Sequence, residues 1–230
     1  YGTISAAALM RECGYEVSLF DTGLKNSASE ILPVLKQKRP RYLVIYDDGF
    51  NYLTKMCLTR MREAAFEMAQ MGKDAGCIVI ANSSDSTDHY KEYLHQGVDF
   101  VILGEGEITL RALVSSLEAG ETDFSKILGI AYLPEGIDPE NLKHAVVTVN
   151  PPRPVLHDLD ELPDPAWDLI DIESYREIWL SRHKHFTLNL ATTRGCPYKC
   201  NWCAKPIYGN RYNSRSPERV VAEIELLIER

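Results

Sequence analysis

The 230-residue sequence has no long apolar run and few cysteines. No stretch approaches the ~20 consecutive apolar residues that a membrane-spanning helix needs, and no charged-then-apolar leader opens the chain. Apolar residues make up 45% of the chain and charged residues 25%, with a formal net charge of −8. These proportions exclude collagen-like and disordered compositions and predict a globular, cytoplasmic protein.

Six cysteines are too few for a disulfide scaffold in a chain of this length. Three of them are concentrated within eight residues, at Cys196, Cys200 and Cys203. The other three lie in helix or strand patterns, where we expect small buried hydrophobic side chains: Cys13, Cys57 and Cys77.

Both ends of the sequence lie within helical patterns. The chain begins at Tyr1 rather than at Met, and it stops at Arg230 without a terminating Gly or Pro. We therefore expect it to be a fragment of a longer polypeptide.

Short apolar runs alternate with helical patterns in the first half. Tyr42–Tyr46 and Cys77–Ala81 are continuous apolar runs, typical of strands buried on both faces of a parallel sheet, and Phe100–Leu103 is a third. A shorter run at Val17–Phe20 predicts another strand. Because strands and helices alternate at βαβ spacing, we expect an α/β fold with a Rossmann-like, doubly wound parallel sheet.

The segments that follow the three longer runs are polar or glycine-rich: 47–51, 82–85 and 104–107. In open parallel sheets, ligands bind beyond the carboxyl ends of the strands. Such loops also meet water in any sheet. Their polarity alone therefore leaves both a ligand site and a solvated surface open.

A hairpin and a linker are predicted next. Residues 127–133 and 145–149 alternate like a β-hairpin, and five prolines fall between residues 151 and 165. The seven acidic residues of 158–173 stand without a Lys or Arg, so proline stiffness and charge repulsion favour an extended linker that Trp167 anchors to a domain. The predicted parts are 1–122, 123–180 and 181–230.

The pattern of residues 181–230 predicts a strand, then the loop with the clustered cysteines, then a helix. Phe186–Ala191 alternates like a strand. Ser216 is a favourable helix N-cap and Pro217 suits the first helical position. We interpret this order as the first βα unit of a larger domain.

The three clustered cysteines have C-x3-C-x2-C spacing. Three thiolates on eight residues can converge on an iron-sulfur cube, and with three protein ligands one iron stays open for another ligand. A Cys3His zinc site completed by His183 or His185 is an alternative. Disulfides would leave an odd thiol and require an oxidising compartment.

Positive charge surrounds these cysteines. Residues 181–219 contain eight Lys or Arg and one acid, a net +7, whereas the remainder carries −15. Such charge stabilises thiolates, an anionic cluster and a carboxylate ligand. It also fits nucleic acid, but the segment contains no recognised nucleic-acid-binding motif, so a zinc-binding nucleic-acid module is the alternative.

A receiver-like, non-enzymatic domain is a second alternative for the first half. Asp47, Asp48 and Ser83 lie at predicted strand ends, as phosphoacceptor and supporting residues do in receivers. Receivers place a Lys after the last strand. This chain has Gly104 and Glu105 there, which does not favour this reading.

The segment TTRGCPYKCNWC resembles the cluster loop of the radical S-adenosylmethionine (SAM) superfamily, whose pattern is C-x3-C-x-aromatic-C after the first barrel strand. The spacing, Trp202 at the aromatic position and the preceding Arg-Gly all agree. The βαβ pattern ending in LGEGEITLRAL, followed by LDELPDPAWDLID, resembles the cobalamin-binding domain fused to one branch of that superfamily. The resemblance implies a cobalamin-binding domain at 1–122, without its first strand, and the start of a partial TIM-type radical SAM barrel at 181–230.

The resemblance also implies site residues and chemistry. Cys196, Cys200 and Cys203 would hold a 4Fe-4S cluster whose open iron binds SAM, with Trp202 beside the adenine. An electron from the reduced cluster would cleave SAM to a 5′-deoxyadenosyl radical that abstracts hydrogen from a substrate. Cobalamin would lie across the strand ends, where the expected contacts are Ser83, Ser84, Gly104, Glu105, Gly106 and Glu107.

Several features of the enzyme stay open. The sequence has no Asp-x-His-x-x-Gly, the motif that ligates cobalt from below in many cobalamin domains. The reaction could be methylation, rearrangement or cyclisation, or methylthiolation. Expected partners are a small-molecule or peptide substrate and an electron donor such as flavodoxin or ferredoxin, with no membrane or nucleic acid. The 45 residues from Phe186 onward cannot build a barrel of ~200 residues, so we expect this stretch to be inactive alone.

Overall fold

The structure is a computed structural model that describes residues 1–46, 58–134, 145–198, 200 and 208–229. Its residues group into two compact units. The sheet unit consists of Lys25–Pro154 together with Gly2, and the cysteine unit consists of Tyr1, Thr3–Leu24 and Val155–Arg230.

The compact units divide the chain at points other than the predicted boundaries. Helix α1 (Gly2–Glu12) packs in the cysteine unit, where Ile4 contacts Trp167 and Ile172 and its carbonyl accepts a 3.1 Å hydrogen bond from the Ala166 N–H. The hairpin after residue 122 belongs to the sheet unit instead of to a linker. Packing therefore ends one unit at residue 154 rather than at 122 or 180, while the cofactor assigned to each part stays a prediction.

A mixed five-stranded sheet organises the sheet unit. Its strands lie side by side in chain order: β1 (Tyr42–Tyr46), β2 (Ile78–Asn82), β3 (Phe100–Ile102), β4 (Ile130–Tyr132) and β5 (Thr148–Val149). The first three are parallel, and the predicted hairpin adds the last two in antiparallel pairing. The Rossmann-like α/β class is thereby confirmed. The carboxyl ends of β1, β2 and β3 lie at the same edge of the sheet.

The order of the described strands across the sheet follows their order in the chain. Each of β1, β2 and β3 neighbours the next strand in the chain, so the reversal of strand order that defines a doubly wound sheet is not seen within the described ranges. Crossovers between consecutive neighbours that keep the usual right-handed sense would place their connecting helices on one face. The predicted double winding is not found in this part of the chain.

Helices connect these strands. α2 (Ile31–Lys38) precedes β1, α3 (Leu58–Asp74) precedes β2, α4 (Ser84–Asp88) and α5 (Tyr90–His95) precede β3, and α6 (Glu107–Glu118) follows it. None of the helices in the described ranges combines the length and apolarity needed to cross a bilayer. The most deeply buried large apolar side chains of the unit come from these strands and helices: Val79, Ile80, Leu94, Val101, Ile102, Leu113, Val114 and Ile130.

The cysteine unit is mainly helical. Besides α1 it contains α7 (Ile172–Leu180), the short antiparallel strands β6 (Thr193–Arg194) and β7 (Asn213–Ser214), and α8 (Pro217–Ile228). As predicted, α8 begins after Ser216, whose hydroxyl accepts a hydrogen bond from the backbone N–H three residues later.

Two predicted strands are not strands. Val17–Phe20 and Phe186–Ala191 have no ladder partner in the described part of the chain. Their alternating apolar side chains are used for packing instead. Leu19 and Leu188, for example, lie against the Ile4 cluster. The alternation predicted one buried side correctly, but a strand also needs a neighbour that completes its backbone hydrogen bonds.

Candidate functional site

The cysteine loop begins and ends on a short antiparallel ladder. β6 pairs with β7 at its base. On one side of this pair the Arg215 N–H donates a 3.0 Å hydrogen bond to the Thr192 carbonyl, and on the other the Cys196 N–H donates one of 3.4 Å to the Gly209 carbonyl. The first cysteine is therefore held where the ladder opens into the loop.

Gly195 allows the two arms of the loop to approach closely. Its φ of +80° lies in the left-handed region that favours glycine. A Cβ atom there would lie 2.0 Å from the Arg211 carbonyl oxygen and 2.8 Å from that of Tyr208. The glycine before the first cysteine is thus required by both conformation and space.

Arg194 is buried at the base of the same loop. Only 5% of the residue is exposed, and its guanidinium carbon lies 4.9 Å from the centre of the Tyr208 ring. This is a cation–π geometry between the arm that enters the loop and the arm that leaves it.

Two of the three predicted metal ligands lie in the described residues. Cys196 is half-buried and Cys200 exposed, and both are free thiols. Cys203 and Trp202 lie outside the described residues. The soft donor set fits an iron-sulfur cluster.

The zinc alternative needs Cys203, which lies outside the described residues, so only the positions of its two candidate histidines relative to Cys196 and Cys200 can be described. His183 and His185 are exposed, and the His183 ring lies on Trp179 with ring centroids 4.6 Å apart. Among the residues that the structure describes, no three His, Cys, Asp or Glu side chains converge on a metal-binding geometry. Neither histidine therefore joins Cys196 and Cys200.

The remaining cysteines differ from one another. Cys77 is 3% exposed, as predicted, and burial raises the pKa of its thiol. Cys13 is exposed, so its predicted burial is wrong. It follows the last residue of α1, where the chain turns out towards solvent. Cys57 lies outside the described residues.

The acidic linker binds part of the basic segment. Arg219 Nη2 donates to Asp164 Oδ1 at 2.7 Å and to the Leu162 carbonyl at 2.9 Å. The Ser216 N–H donates to Asp160 Oδ1 at 3.1 Å, and hydrogen bonding to Ser216 holds the pKa of the Asp160 carboxyl below its usual value. The linker is therefore docked rather than extended, because these opposite charges and polar groups pair within one unit.

A buried polar network joins the linker to α8. Glu223 is 3% exposed and accepts hydrogen bonds from Trp167 Nε1 at 2.7 Å and from the Tyr1 hydroxyl at 3.0 Å. Arg215 completes it as an ion pair. Burial, with a further contribution from the Glu223 carboxylate, raises the pKa of Tyr1. The predicted anchor role of Trp167 is confirmed.

Glu223 is not among the predicted site residues, although the sequence contains a signal for its burial. Glu223 lies three residues after Val220 and four before Leu227, on the apolar stripe of α8. A carboxylate on that face must find a partner when it is buried. That rule indicates a buried ion pair but does not identify Arg215 or Trp167 as the partners.

In the sheet unit, the structure brings two of the predicted ligand loops together. Asn82 Nδ2 donates to the Ile102 and Gly104 carbonyls, each at 3.1 Å. The Gly104 N–H donates to Thr87 Oγ1 at 3.2 Å, and the Thr87 hydroxyl donates to the Ser83 carbonyl at 2.8 Å. The loops after β2 and β3 therefore form one hydrogen-bonded edge. The predicted loop 47–51, with Asp47 and Asp48, lies outside the described residues.

The two serines of the predicted cobalamin site differ in their surroundings. Ser83 is buried, and its hydroxyl accepts a 2.8 Å hydrogen bond from the Ser86 N–H as the N-cap of α4. Ser84 is half-buried. The Ser83 side chain already has a structural partner, and this N-cap hydrogen bond fixes the loop that contains both serines.

Close packing also marks the loop after β3. Gly104 and Glu105 are half-buried, and Gly106 and Glu107 are buried. A Cβ atom on Gly106 would lie 2.5 Å from the Tyr46 hydroxyl and 2.6 Å from Asn82 Oδ1. The binding roles of these residues, and of Ser83 and Ser84, stay predictions.

A buried ion pair that the sequence patterns do not predict lies beside this edge. Asp85 is buried and accepts hydrogen bonds from Arg62 Nε at 2.7 Å and from the Tyr93 hydroxyl at 2.9 Å. Burial raises the pKa of Asp85, but the hydrogen bonds from Arg62 and Tyr93 outweigh it and hold that pKa below its usual value. The pair ties α3 to α4, so it fixes the loop that contains Ser83 and Ser84.

Curated relatives include methyltransferases and a cyclase. An uncharacterized methyltransferase of Pyrococcus horikoshii is 34% identical over 131 residues, which are 56% of this chain and 25% of that protein. The anaerobic magnesium-protoporphyrin IX monomethyl ester cyclase of Synechocystis is 26% identical over 226 residues, which are 97% of this chain and 41% of the cyclase. No family model matches the chain. The chain thus spans less than half the length of these relatives.

Solved structures share the fold of almost the entire chain. The cobalamin-dependent SAM radical enzyme OxsB with aqua-cobalamin bound is 19% identical, with a TM-score of 0.74 over 99% of this chain and 29% of that one. The radical SAM methyltransferase TsrM from Kitasatospora setae, with cobalamin and a [4Fe-4S] cluster bound, is 17% identical, with a TM-score of 0.71 over 99% of this chain and 42% of that one. The fold of this chain is therefore the one that its sequence resemblance to cobalamin-binding radical SAM proteins implies.

Proposed function

We propose that this chain is the cofactor-binding part of a cobalamin-dependent radical SAM enzyme. One observation carries the proposal: two free thiols of the C-x3-C-x2-C motif, Cys196 and Cys200, lie on a loop whose two arms are paired at the base. This arrangement occurs in a chain whose fold matches OxsB and TsrM over 99% of its length.

Cys196, Cys200 and Cys203 are the proposed ligands of a 4Fe-4S cluster, with Trp202 beside the adenine of SAM. When bound and reduced, such a cluster supplies the electron that cleaves SAM to a 5′-deoxyadenosyl radical. The residues of this chain hold and orient the cofactors. The ladder fixes Cys196, and the close approach at Gly195 brings the returning arm against it.

Cobalamin is proposed to bind across the carboxyl ends of β2 and β3. Supporting this position, the loops with Ser83 and Gly104 are cross-linked through Thr87 and fixed by Asn82. A site held on a sheet edge in this way is preorganised, which lowers the entropy lost on binding. The proposed contacts are Ser83, Ser84, Gly104, Glu105, Gly106 and Glu107.

Methyl transfer is the reaction class that we favour, because methyltransferases occur both among the relatives and among the solved structures of this fold. The whole protein would act on a small-molecule or peptide substrate in the cytoplasm and take electrons from a flavodoxin or ferredoxin. Residues 181–230 would form the start of its radical SAM barrel.

Anaerobic reconstitution with iron and sulfide tests the cluster. We expect about four iron and four sulfide per chain, with the absorption and EPR spectra of a 4Fe-4S centre. Cys200→Ala should lose most of this cluster, whereas Cys13→Ala, a matched change at an exposed cysteine of the same unit, should retain it. Zinc without iron or sulfide in the purified protein would contradict the proposal. So would absorption and EPR spectra that are the same in Cys200→Ala as in the wild type.

Titration with hydroxocobalamin tests the second cofactor separately. Binding should change the visible spectrum of the cobalamin in both the wild type and Cys200→Ala, because the proposed contacts lie in the sheet unit. An unaltered spectrum at saturating protein would remove cobalamin from the proposal and leave the cluster assignment in place.

A further inference from the structure

Arg194 has a role that the motif alone does not explain. We propose that Arg194 is a positioning residue for the cysteine loop, which it holds closed through Tyr208. The inference rests on the proposed function in so far as a cluster is bound by this loop. We call the Arg194–Tyr208 stack, together with β6 and β7, the loop clamp.

The two residues belong to opposite arms of the loop. Arg194 stands two positions before Cys196, and Tyr208 stands next to Gly209, whose carbonyl accepts the Cys196 N–H. The guanidinium lies 4.9 Å from the ring centre. The stack therefore joins the arms beside the hydrogen bond that holds the first cysteine.

The ladder is too short to close the loop alone. β6 and β7 are two residues each, and the Cys196–Gly209 hydrogen bond is long at 3.4 Å. An isolated two-stranded pair is marginal in water, and it needs packing to persist. Arg194, 5% exposed, supplies that packing with its stem and planar head.

A planar guanidinium suits this position better than an ammonium. Arginine stacks on an aromatic face with its flat group, whereas lysine presents a compact, strongly hydrated charge. Keeping the arms together shortens the segment that must order when three thiolates converge, which reduces the entropy cost of cluster binding. The stack therefore acts on the cluster indirectly, through the position of Cys196.

Hydrogen exchange of the cluster-free protein tests the clamp first. The Cys196 and Arg215 amides report on the loop base, because they donate to the Gly209 and Thr192 carbonyls. In Arg194→Met and Tyr208→Leu these amides should exchange about tenfold faster. Tyr208→Phe, which keeps the aromatic ring, should exchange these two amides at the wild-type rate.

Tyr212→Leu is the matched control. Tyr212 lies on the same returning arm but is 64% exposed, so its replacement should leave the two amides unchanged. The Val220 amide, which donates to the Ser216 carbonyl at the start of α8, shows whether the unit is still folded. If Arg194→Met loses that protection, Arg194→Lys, which keeps the charge but not the planar stack, takes its place.

The reconstituted protein tests the consequence for the cluster. Under a chelator, the half-life of the cluster absorption should shorten about tenfold in Arg194→Met and Tyr208→Leu, in step with the exchange rates, and stay at the wild-type value in Tyr208→Phe and Tyr212→Leu. The EPR line shape should broaden in the first pair because Cys196 is less well fixed.

The possible results separate three claims: that the loop clamp exists, that it positions Cys196 for the cluster, and that the chain binds a cluster at all. Equal exchange in Tyr208→Leu and Tyr212→Leu would overturn the clamp. Faster exchange with an unchanged cluster half-life would overturn its positioning role. A wild-type protein that binds no cluster would refute the proposed function and with it any role of Arg194 toward a cluster, while the exchange data would still decide whether the clamp exists.

Discussion

The Trp167 indole donates a 2.7 Å hydrogen bond to the buried carboxylate of Glu223. One residue lies in the acidic, proline-rich segment and the other on the last helix. The same carboxylate pairs with Arg215, which directly follows the β7 arm of the cysteine loop. The linker, the helix and the loop base are therefore connected through one side chain.

Glu223→Ala should destabilise the protein by about 3–5 kcal/mol, because it removes the buried carboxylate that Arg215, Trp167 and Tyr1 share and leaves Arg215 with the more exposed Asp164, 3.5 Å away. The Glu223 and Arg215 side chains are only 1% and 9% exposed. Urea denaturation measures the change. Glu225→Ala, at an exposed position of the same helix, should change the free energy of unfolding by less than about 0.5 kcal/mol. Similar values for the two variants would show that the network contributes little.

Gly195→Ala should cost more stability than Gly14→Ala. Both glycines have positive φ, +80° and +89°, so both alanines pay a conformational penalty of about 1–2 kcal/mol. A Cβ on Gly14 meets nothing within 4 Å, whereas one on Gly195 would collide with the Arg211 carbonyl. The melting temperature should therefore fall further in Gly195→Ala than in Gly14→Ala. The amount of iron retained after reconstitution should fall only in Gly195→Ala. If the two variants lost the same stability, the close approach of the two arms of the cysteine loop at Gly195 would not contribute to folding.

Arg62→Met should make the protein less sensitive to acid. The Asp85 pKa is depressed, so this carboxylate contributes stability above its unfolded pKa of about 3.9, and the contribution is lost as the pH falls through the lower folded value. Without Arg62 the largest cause that lowers this pKa is lost, so the pKa of Asp85 rises from its wild-type value. The difference in unfolding free energy between wild type and variant should be largest near about pH 7 and shrink toward about pH 3.

The control for this pH dependence is Arg60→Met, at an exposed position of α3. Its difference from the wild type should be small and nearly constant over the same pH range. A difference for Arg62→Met that does not change with pH would show that Asp85 is not held ionised by this arginine.

Thr87→Val should weaken cobalamin binding without unfolding the sheet unit. The valine keeps the shape but removes the hydroxyl that links the Ser83 carbonyl to the Gly104 N–H. Loss of one such bridge, at about 1 kcal/mol, corresponds to roughly a fivefold increase in the dissociation constant in a hydroxocobalamin titration. Thr59→Val, at an exposed position of α3, should bind as the wild type does. Unchanged affinity for Thr87→Val would separate the loop cross-link from the ligand site.

Most elements of the sheet unit could be predicted because their signals are local. Tyr42–Tyr46 is a run of apolar residues, mostly of high β propensity, and becomes a strand as predicted. Its residues are half-buried, so the predicted burial on both faces is wrong for this strand. In the cysteine unit, Ser216 and Pro217 likewise mark the start of α8 by a local signal. Val17–Phe20 shows the limit of such signals, because its apolar pattern is met by packing against α1 rather than by a neighbouring strand.

The site was predicted only where spacing along the chain carries the chemistry. The three cysteines are identified by their sequence separation, since metal ligands on one loop must be close in the chain. Asp85 gave no such signal. Its partner Arg62 lies 23 residues away on another helix, and the pair forms only where the fold brings α3 against α4.

By itself, the sequence determined the fold class, the cysteine motif and the apolar runs that form β1, β2 and β3, because propensity, periodicity and ligand spacing act over a few residues. Only the tertiary structure decided that Glu223 binds Trp167 and Arg215, that the acidic linker is docked, and that Arg194 closes the cysteine loop on Tyr208. These contacts join residues far apart in the chain. Which of the available polar groups meet is set by how the helices pack, since burial requires each charge to find a partner but does not specify which one.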